Sequence, residues 1–489
     1  MRPLAASSFA MKNEASPDPR AALRALWLDA GMDEAALADA ALSGADPVLP
    51  SSFAMGTAAQ ASLAAAGLAA TRLGALRQPG PPPQTVTLEL AGALLDCTGH
   101  FTLDGQRPSI WDKLSGLYPC DDGAGWVRIH ANFEHHRDGA LRLLGLPEGP
   151  ETGREAVIAA LREWRAIDFE NAGAQAGLVV SALRSFEEWD AHPQAAALRT
   201  QPLVSFERIG DADAQRLPDL GADERPLSGL RVLDLTRILA GPVAGRTLAA
   251  YGADVMLVNS PKLPNISAIA DTSRGKLSTH IDLEDAPGRE ALATLVASSH
   301  VFLQGYRPGA LGTRGFGVRD LARMRPGIVV VSLSAYGDRG PWADRRGFDS
   351  LVQTATGFNV AEAQASKALE PRPMPVQILD YCAGNLLAFG AQAALWRQAR
   401  EGGSWHVQVS LARVGHWLRE LGRVADGFSV KAPDLQSMLE PPESSGFGVL
   451  QGLRHPLRFS RTPARWTRPS MPPGTHAPRW PESLSSSTA

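Results

Sequence analysis

Regular alternation of short apolar runs with amphipathic stretches, beginning near residue 228, constrains the fold of this chain more than any other feature. In chain order the pattern predicts strand 231–235, helix 241–251, strand 254–258, helix 288–298, strand 301–304, helix 318–324 and strand 328–333. Helices of this length between strands form right-handed βαβ units and a mostly parallel sheet. The sequence therefore predicts an α/β protein with a Rossmann-like, mostly parallel sheet domain and a second, smaller α+β domain.

Composition changes divide the 489 residues into six predicted segments. They are an N-terminal extension and helix (1–50), a helix–strand unit (51–110), a small α+β domain (111–205), a linker rich in Asp, Gly, Arg and Pro (206–227), a Rossmann-like domain (228–425) and an extended C-terminal tail (426–489). We expect the last few residues of the tail to be disordered.

The Ala-rich stretch from Ala54 to Leu76 contains polar side chains, which favours a buried or dimer-packed helix over a membrane span. Its order of apolar helix, loop and strand is the same as that of residues 383–411. We therefore interpret 51–110 as a degenerate repeat of 383–411, with chance similarity of two helix–strand units as the alternative. Residues 51–83 contain no Asp or Glu, so a second copy there lacks a carboxylate. We expect this helix to pack against the helix that follows Asp380, within one chain or across a dimer.

Charge and cysteine content exclude several function classes. The net charge is −3 and the pI is about 6.4, so the chain has no excess of positive charge that would attract nucleic acid. The three cysteines are scattered without a CxxC motif, which favours a reducing compartment over a disulfide framework or a Cys-rich zinc site. Residues 1–20 show no apolar secretory pattern. We interpret the chain as cytoplasmic, with no membrane partner.

A Gly-rich turn, Ala240 to Gly245, follows the first predicted strand. Such turns let backbone N–H groups approach phosphates at a helix N-terminus. Pro242 breaks the GxGxxG pattern, and the next strand ends Val258-Asn259-Ser260 without the acidic residue that a dinucleotide ribose requires. The pattern thus argues against an NAD site and leaves a phosphate turn or a tight turn with a packing role.

Asp380 is a single acid between an apolar run and an amphipathic helix. A carboxylate near a helix start is stabilised by the helix dipole. A simple N-cap is the alternative that spacing alone favours.

Two further groups of polar residues have ordinary alternatives. His130, His135 and His136 do not have the HExxH spacing of a zinc site, so we expect exposed or locally hydrogen-bonded histidines. Arg307 follows a predicted strand at the edge where open α/β sheets bind ligands, and either a phosphate contact or a solvent salt bridge suits it.

These motifs, in this order, resemble the class III coenzyme A transferase family, also called the CaiB–BaiF family. The matching segments are 229–258, 274–283, 305–309, 333–337, Asp380, 462–464 and 472–476. The resemblance is nearly continuous over 228–421 and returns at 445–478. Residues 112–195 resemble the family's small domain, which in the family follows the catalytic helix but here precedes the sheet. The resemblance therefore implies a permuted or partly duplicated domain order.

The resemblance implies a CoA transferase that moves coenzyme A between an acyl-CoA and a carboxylic acid. Asp380 would be the nucleophile, forming an aspartyl anhydride and then an aspartyl-CoA thioester, with backbone N–H groups at the helix start stabilising the oxyanion. Coenzyme A would be a co-substrate, with no permanently bound cofactor and no metal, and the protein would be a homodimer. The positions that match CoA-binding residues are Leu239, Ala240, Lys276, Asp282, Leu283, Gly305, Tyr306, Arg307 and Asp349.

Departures from the family pattern leave two alternatives. The second strand ends Leu257 to Ser260 where the family commonly has Lys and Glu with a cation soon after, and Leu379 stands where Gly is frequent. Acyl-CoA racemases of the family have Gly-His-Asp where this chain has Gly347-Phe348-Asp349, and Phe348 cannot exchange a proton. Transfer is thus favoured over racemisation, and a CoA-binding protein without turnover is the remaining alternative.

Overall fold

A computed structural model describes residues 17–78, 80–431 and 433–481. The beginning of the predicted N-terminal extension and the tail end that we expected to be disordered lie outside the described residues.

A seven-stranded sheet lies at the centre of the region that residues 205–420 form. Its strand order is β10-β9-β8-β11-β12-β13-β7, and every pair is parallel except β13 with the edge strand β7. The predicted α/β class with a mostly parallel sheet is confirmed. The elements of this region, numbered in chain order over the whole protein, are β7 (Ser205–Gly210), β8 (Arg231–Leu235), α9 (Ala240–Ala250), β9 (Asp254–Asn259), α10 (Ile269–Thr272), β10 (Leu277–His280), α11 (Ala286–Val296), β11 (Val301–Gln304), α12 (Val318–Met324), β12 (Val329–Ser334), α13 (Asp349–Ala355), α14 (Phe358–Ser366), α15 (Ile378–Glu401), β13 (Ser404–Ser410) and α16 (Leu411–Glu420).

Alternating side chains of the central strands enter two separate hydrophobic cores. In β12, Val329 and Val331 join the core that contains α9 and α15, whereas Val330 joins the opposite core with α11 and α12. Strands buried on both faces explain the continuous apolar runs in the sequence. Because these strands are parallel, the loops after their carboxyl ends meet at one edge of the sheet.

The region before the large sheet contains the Ala-rich helix. Its elements are α1 (Pro19–Asp29), β1 (Ala40–Ser43), α2 (Met55–Arg77), β2 (Val86–Glu89), α3 (Leu90–Asp96) and β3 (Phe101–Leu103). Helix α2 packs against α15 within the same chain, where the Gln392 amide donates to the Ala66 carbonyl at 3.1 Å. Small side chains on α2 permit this close approach, which is why an Ala-rich helix is buried here. Among the described residues, none of the helices is both long enough and apolar enough for a membrane crossing.

A small α+β region covers residues 111–205. Its elements are β4 (Gly116–Cys120), β5 (Gly125–Ile129), α4 (Glu134–Leu143), α5 (Arg154–Leu161), α6 (Ala166–Gln175), β6 (Val180–Ala182), α7 (Phe186–Asp190) and α8 (Pro193–Arg199). Strands β4, β5 and β6 form an antiparallel sheet. Because β5 and β6 pack against α13 of the same chain, this region reaches the large sheet without a second subunit.

The linker and the tail are held more firmly than their polar composition suggests. Arg77, at the end of α2, donates to the carbonyls of Pro218 and Pro226 at 2.7 and 2.8 Å and so fixes the linker. The tail contains β14 (Glu443–Ser445), β15 (Gly448–Gly452) and β16 (Arg458–Phe459). Strand β15 pairs with β3 and β16 with β2, so the tail is not simply extended chain. Strands this short leave little periodicity in the sequence.

Candidate active site

A cleft of about 580 Å³ opens at the carboxyl edge of the large sheet. The loops that follow β8 to β12 form most of its wall, the beginning of α15 contributes Asp380, and the segment after β5 contributes Phe133, His135 and His136. The cleft therefore lies where open parallel sheets bind ligands. Its lining includes residues from both the large-sheet region and the small α+β region.

Asp380 is the third residue of α15 and is 7% exposed. The helix begins at Ile378 and has no side-chain cap hydrogen bond, so the N-cap alternative for Asp380 is wrong. Burial, followed by the nearby charge of Asp349, raises the pKa of Asp380 well above its usual value. A buried, cleft-facing carboxylate with a strongly perturbed pKa is typical of a reactive group.

Asp349, the first residue of α13, is fully buried beside Asp380. Its Oδ2 accepts the Asp380 N–H at 2.9 Å, and its carboxylate also accepts the Leu379 N–H. Its Oδ1 accepts the Gln353 amide at 2.5 Å. Burial raises the pKa of Asp349 to about 6, although these hydrogen bonds oppose the shift. Asp349 thus holds the start of α15 in place. Its carboxylate already accepts hydrogen bonds from the N–H groups that we expected to stabilise an oxyanion.

A buried cation from the small α+β region lies near Asp349. Arg128, on β5, is 7% exposed, and its charge lowers the pKa of Asp349. Burial lowers the pKa of Arg128 itself to about 10. The small region therefore contributes a counter-charge as well as cleft wall.

Most of the predicted CoA-binding positions come together in the cleft. It is bordered by Leu239, Ala240, Asp282, Leu283, Gly305, Tyr306 and Arg307. The residue before Leu239, Ile238, has a φ of 78°, a strained value for a β-branched side chain of the kind that clusters at ligand sites. Lys276 and Asp349 are not among the cleft-lining residues.

Lys276 has a packing role in place of the predicted ligand contact. Its fully buried ammonium donates to Asp234 and to the Pro242 carbonyl, both at 2.8 Å, and burial lowers its pKa. These bonds hold the Gly-rich turn at the beginning of α9. With the ammonium enclosed in this way, Lys276 is not available to a ligand in the cleft.

The first cation after β9 is Lys262, three residues beyond the end of the strand. Lys262 lines the cleft and pairs with Asp282 at 2.9 Å and with Glu284. Arg307 also lines the cleft, and no hydrogen bond or ion pair of its side chain occurs within the described part of the chain. A cation that faces a cleft without an acidic partner is suited to an anionic group.

His135 is exposed, as we expected for these histidines, whereas His130 and His136 are buried. His135 and His136 line the cleft, and His136 is 4% exposed with Nε2 at 3.4 Å from Nη1 of Arg346. His130 stacks on Phe348 with the ring centroids 4.2 Å apart. Sequence reasoning missed these residues because the small α+β region meets the cleft only through tertiary packing. Arg237, two residues beyond the end of β8, also lines the cleft, and it could have been predicted because ligands bind at the carboxyl ends of strands in such sheets.

Comparison with known proteins matches part of the chain to one family. Residues 227–422 match CoA-transferase family III. An acyl-CoA transferase from Gibberella moniliformis is 31% identical over 318 residues, covering 61% of this chain and 55% of that protein. A succinate–glutarate CoA-transferase from Agrobacterium fabrum is 30% identical over 217 residues, covering 40% and 54%. The chain thus spans about half the length of these relatives.

Among solved structures, a CAIB/BAIF family protein from Brucella suis is 28% identical with a TM-score of 0.37, covering 46% of this chain and 65% of that one.

Proposed function

We propose, since residues 227–422 belong to CoA-transferase family III, that this chain transfers coenzyme A between an acyl-CoA and a carboxylic acid with Asp380 as the nucleophile. The observation that carries the proposal is the position of Asp380: a single buried carboxylate at the beginning of α15 that borders the cleft at the carboxyl edge of the sheet. Relatives with CoA-transferase names support the reaction class.

An Asp suits this exchange energetically. Its carboxylate oxygen attacks the thioester carbonyl carbon, and the C–S bond breaks to give a mixed anhydride and CoA thiolate. The thiolate then attacks the aspartyl carbonyl, which gives an aspartyl-CoA thioester and releases the first acid. Attack by the acceptor acid and return of the thiolate complete the transfer. Every intermediate keeps a high acyl-transfer potential, so one difficult exchange becomes several easier steps, and burial of Asp380 limits hydrolysis.

Coenzyme A is proposed as co-substrate, bound by the loops after the strands. Arg307 offers positive charge for phosphates, and Leu239, Leu283 and Tyr306 offer apolar wall for the rest of the molecule. We further propose that the large sheet is a Rossmann-like domain and residues 111–205 a second domain. No permanently bound cofactor is part of the proposal. Three buried free cysteines suit the proposed cytoplasmic location.

The repeat hypothesis receives support from the element order. Helix α2 leads to β2 and directly into α3, as α15 leads to β13 and directly into α16. Asp46 accepts the N–H groups of Gly56 and Thr57 at 2.9 and 2.8 Å, as Asp349 does for Leu379 and Asp380. We propose that α2–β2–α3 is a degenerate copy in which Thr57 stands at the nucleophile's position.

Racemisation is disfavoured as the alternative activity. Phe348 lines the cleft where a racemase would present His, and its ring stacks on His130. An aromatic ring in that place narrows the cleft but moves no proton.

Asp380→Ala tests the assignment. We expect loss of at least about a hundredfold in transfer, because removal of the nucleophile removes the covalent route. Coenzyme A binding should persist, since the other cleft loops are unchanged. Intact-mass measurement after incubation with succinyl-CoA or acetyl-CoA should show an adduct on the wild type alone, and hydroxylamine should convert Asp380 to a hydroxamate. A variant that keeps more than about a tenth of the wild-type rate would refute the nucleophile.

A further inference from the structure

A second cavity, of about 320 Å³, lies at the carboxyl ends of β11, β12 and β13 and is bordered by the start of α12. Ser332 of β12 and His406 of β13 both line it, and Ser332 is partly exposed. Because side chains alternate along a strand, Ser332 lies on the sheet face of Val330, which belongs to the core with α11 and α12. Helix α15, which carries Asp380, packs on the opposite face. The proposed CoA transfer therefore uses neither Ser332 nor His406.

Hydrogen bonds across these three neighbouring strands orient the hydroxyl group of Ser332. The Tyr306 N–H donates to Oε1 of Gln304 at 2.8 Å, so the other end of that amide, Nε2, faces Ser332 and donates to its Oγ at 2.8 Å. The same Oγ lies 2.9 Å from Nε2 of His406. Because Oγ accepts from Gln304, its own proton is available for donation to His406. This contact has the distance that a serine nucleophile and its general base require.

The surroundings of His406 suit a general base. The ring is buried, and burial lowers its pKa, so the imidazole is neutral at pH 7 and can accept a proton. The charges of Glu207 and Asp338 oppose this shift, and Glu207 lies directly opposite His406 in the pairing of β13 with β7. These two carboxylates therefore stabilise the imidazolium that forms when Ser332 gives up its proton.

We propose that Ser332 and His406 form a second reaction centre, which hydrolyses short-chain acyl esters through an acyl-serine intermediate. As Oγ bonds to the ester carbonyl carbon, its proton moves to Nε2 of His406 and the C=O π pair moves to the carbonyl oxygen. The Gln304 amide, already in contact with Oγ, offers its second N–H to that oxygen. The π pair returns as the C–O bond of the ester breaks, and the alcohol leaves with the proton from His406.

Water completes the reaction. His406 takes a proton from a water molecule as the water oxygen bonds to the acyl carbon, and the acid leaves as the proton returns to Ser332. Ester and water thus give acid and alcohol, and no other reactant is needed. A cavity of about 320 Å³ is at the lower end of the range for ligand sites, and polar groups such as Gln408 line it. Both features favour a short acyl chain.

Labelling and kinetics on the full chain test this centre. Diisopropyl fluorophosphate, which phosphorylates activated serines, should modify Ser332, as read by intact mass and peptide mapping. The kcat/KM for 4-nitrophenyl acetate should fall at least about a hundredfold in Ser332→Ala and in His406→Gln, because the nucleophile or its base is lost. The decanoate ester should react about tenfold more slowly than the acetate, because its chain exceeds the cavity. Ser298→Ala, an exposed serine after α11, is the control and should keep the wild-type rate.

Each outcome decides the inference. Phosphorylation of Ser332 together with both losses supports the second centre. A wild-type protein that is not phosphorylated at Ser332, or that hydrolyses the acetate no faster than Ser332→Ala, would overturn it. Equal rates for acetate and decanoate would overturn the short-chain class. If one of the two variants does not fold, as judged by circular dichroism, the other variant and the label give the answer. Thiol release from succinyl-CoA, measured in parallel, reports on Asp380 alone, so either centre can fail without the other.

Discussion

A carboxylate that attacks a thioester must be ionised, yet both burial and the charge of Asp349 favour the protonated form of Asp380. The two acids therefore compete for ionisation at the beginning of α15, and Arg128 supplies the nearby positive charge that lowers the pKa of Asp349. Because Asp380 is an acid with a raised pKa, its reactive fraction grows as the pH rises through that pKa. We expect the transfer rate to increase with pH on the acid side of its profile.

Asp349→Asn tests this interaction. Removing the like charge lowers the pKa of Asp380, so the acid limb of the pH–rate profile should move to lower pH. The plateau rate should fall about tenfold, because one oxygen that holds the start of α15 becomes an NH₂ group, a loss of about one hydrogen bond. The measurement is kcat/KM between pH 5 and 8, with the exposed Asp122→Asn as control. A profile that stays at the wild-type position would show that Asp349 does not govern ionisation of Asp380.

Individual site residues differ in how far the sequence reveals them. Asp380 and Arg307 follow from local pattern, because a strand end or a helix start defines their position. Lys276 lies outside the cleft lining for a physical reason: its pairing with Asp234 joins residues 42 positions apart, and no local pattern encodes that bond. His136 reaches the cleft only through packing of the small α+β region, so its spacing in the sequence gave no signal.

At the scale of elements, α2 and α15 form a central contact of the molecule. Both helices are almost entirely buried, and their crossing brings Ser62 near Asn385 and Ala66 near Gln392. This packing continues to the end of α15 that carries Asp380. The long elements were predictable because apolar periodicity persists over many residues, whereas the tail strands of two to five residues were not.

Ala66→Leu tests the contact between these helices. Ala66 is fully buried and its carbonyl accepts the Gln392 amide, so three added carbons have no space. We expect the free energy of unfolding to fall by about 1–3 kcal/mol, the usual cost of overpacking. Denaturant unfolding followed by circular dichroism measures it, and Leu76→Ala at the exposed end of α2 is the control, since that side chain is 42% exposed. Unchanged stability in Ala66→Leu would mean that the two helices do not pack this closely.

At the scale of the whole molecule, one chain contains both walls of the cleft. Asp380 comes from α15 and His136 from the small α+β region, and β5 and β6 of that region pack on α13 of the same chain. The homodimer implied by the family resemblance stays a prediction. The proposed nucleophile Asp380 and the cleft wall that includes His136 nevertheless belong to one chain.

Mixing two inactive variants distinguishes a site within one chain from a site shared between chains. Differently tagged Asp380→Ala chains and Arg128→Ala chains, which lack the buried counter-charge of Asp349, are co-expressed and purified through both tags, so that any dimer isolated is a hybrid. If each cleft forms within one chain, every cleft carries one defect, and transfer should equal the sum of the two separate variants. If clefts formed across a dimer, each hybrid would contain one intact cleft and recover about half of the wild-type activity per dimer. Wild-type chains co-expressed with Asp380→Ala give the reference for one working site, and the absence of any doubly tagged species would itself indicate a monomer. Recovery near that reference would contradict the single-chain site, because only a cleft assembled from two chains restores Asp380 and Arg128 together.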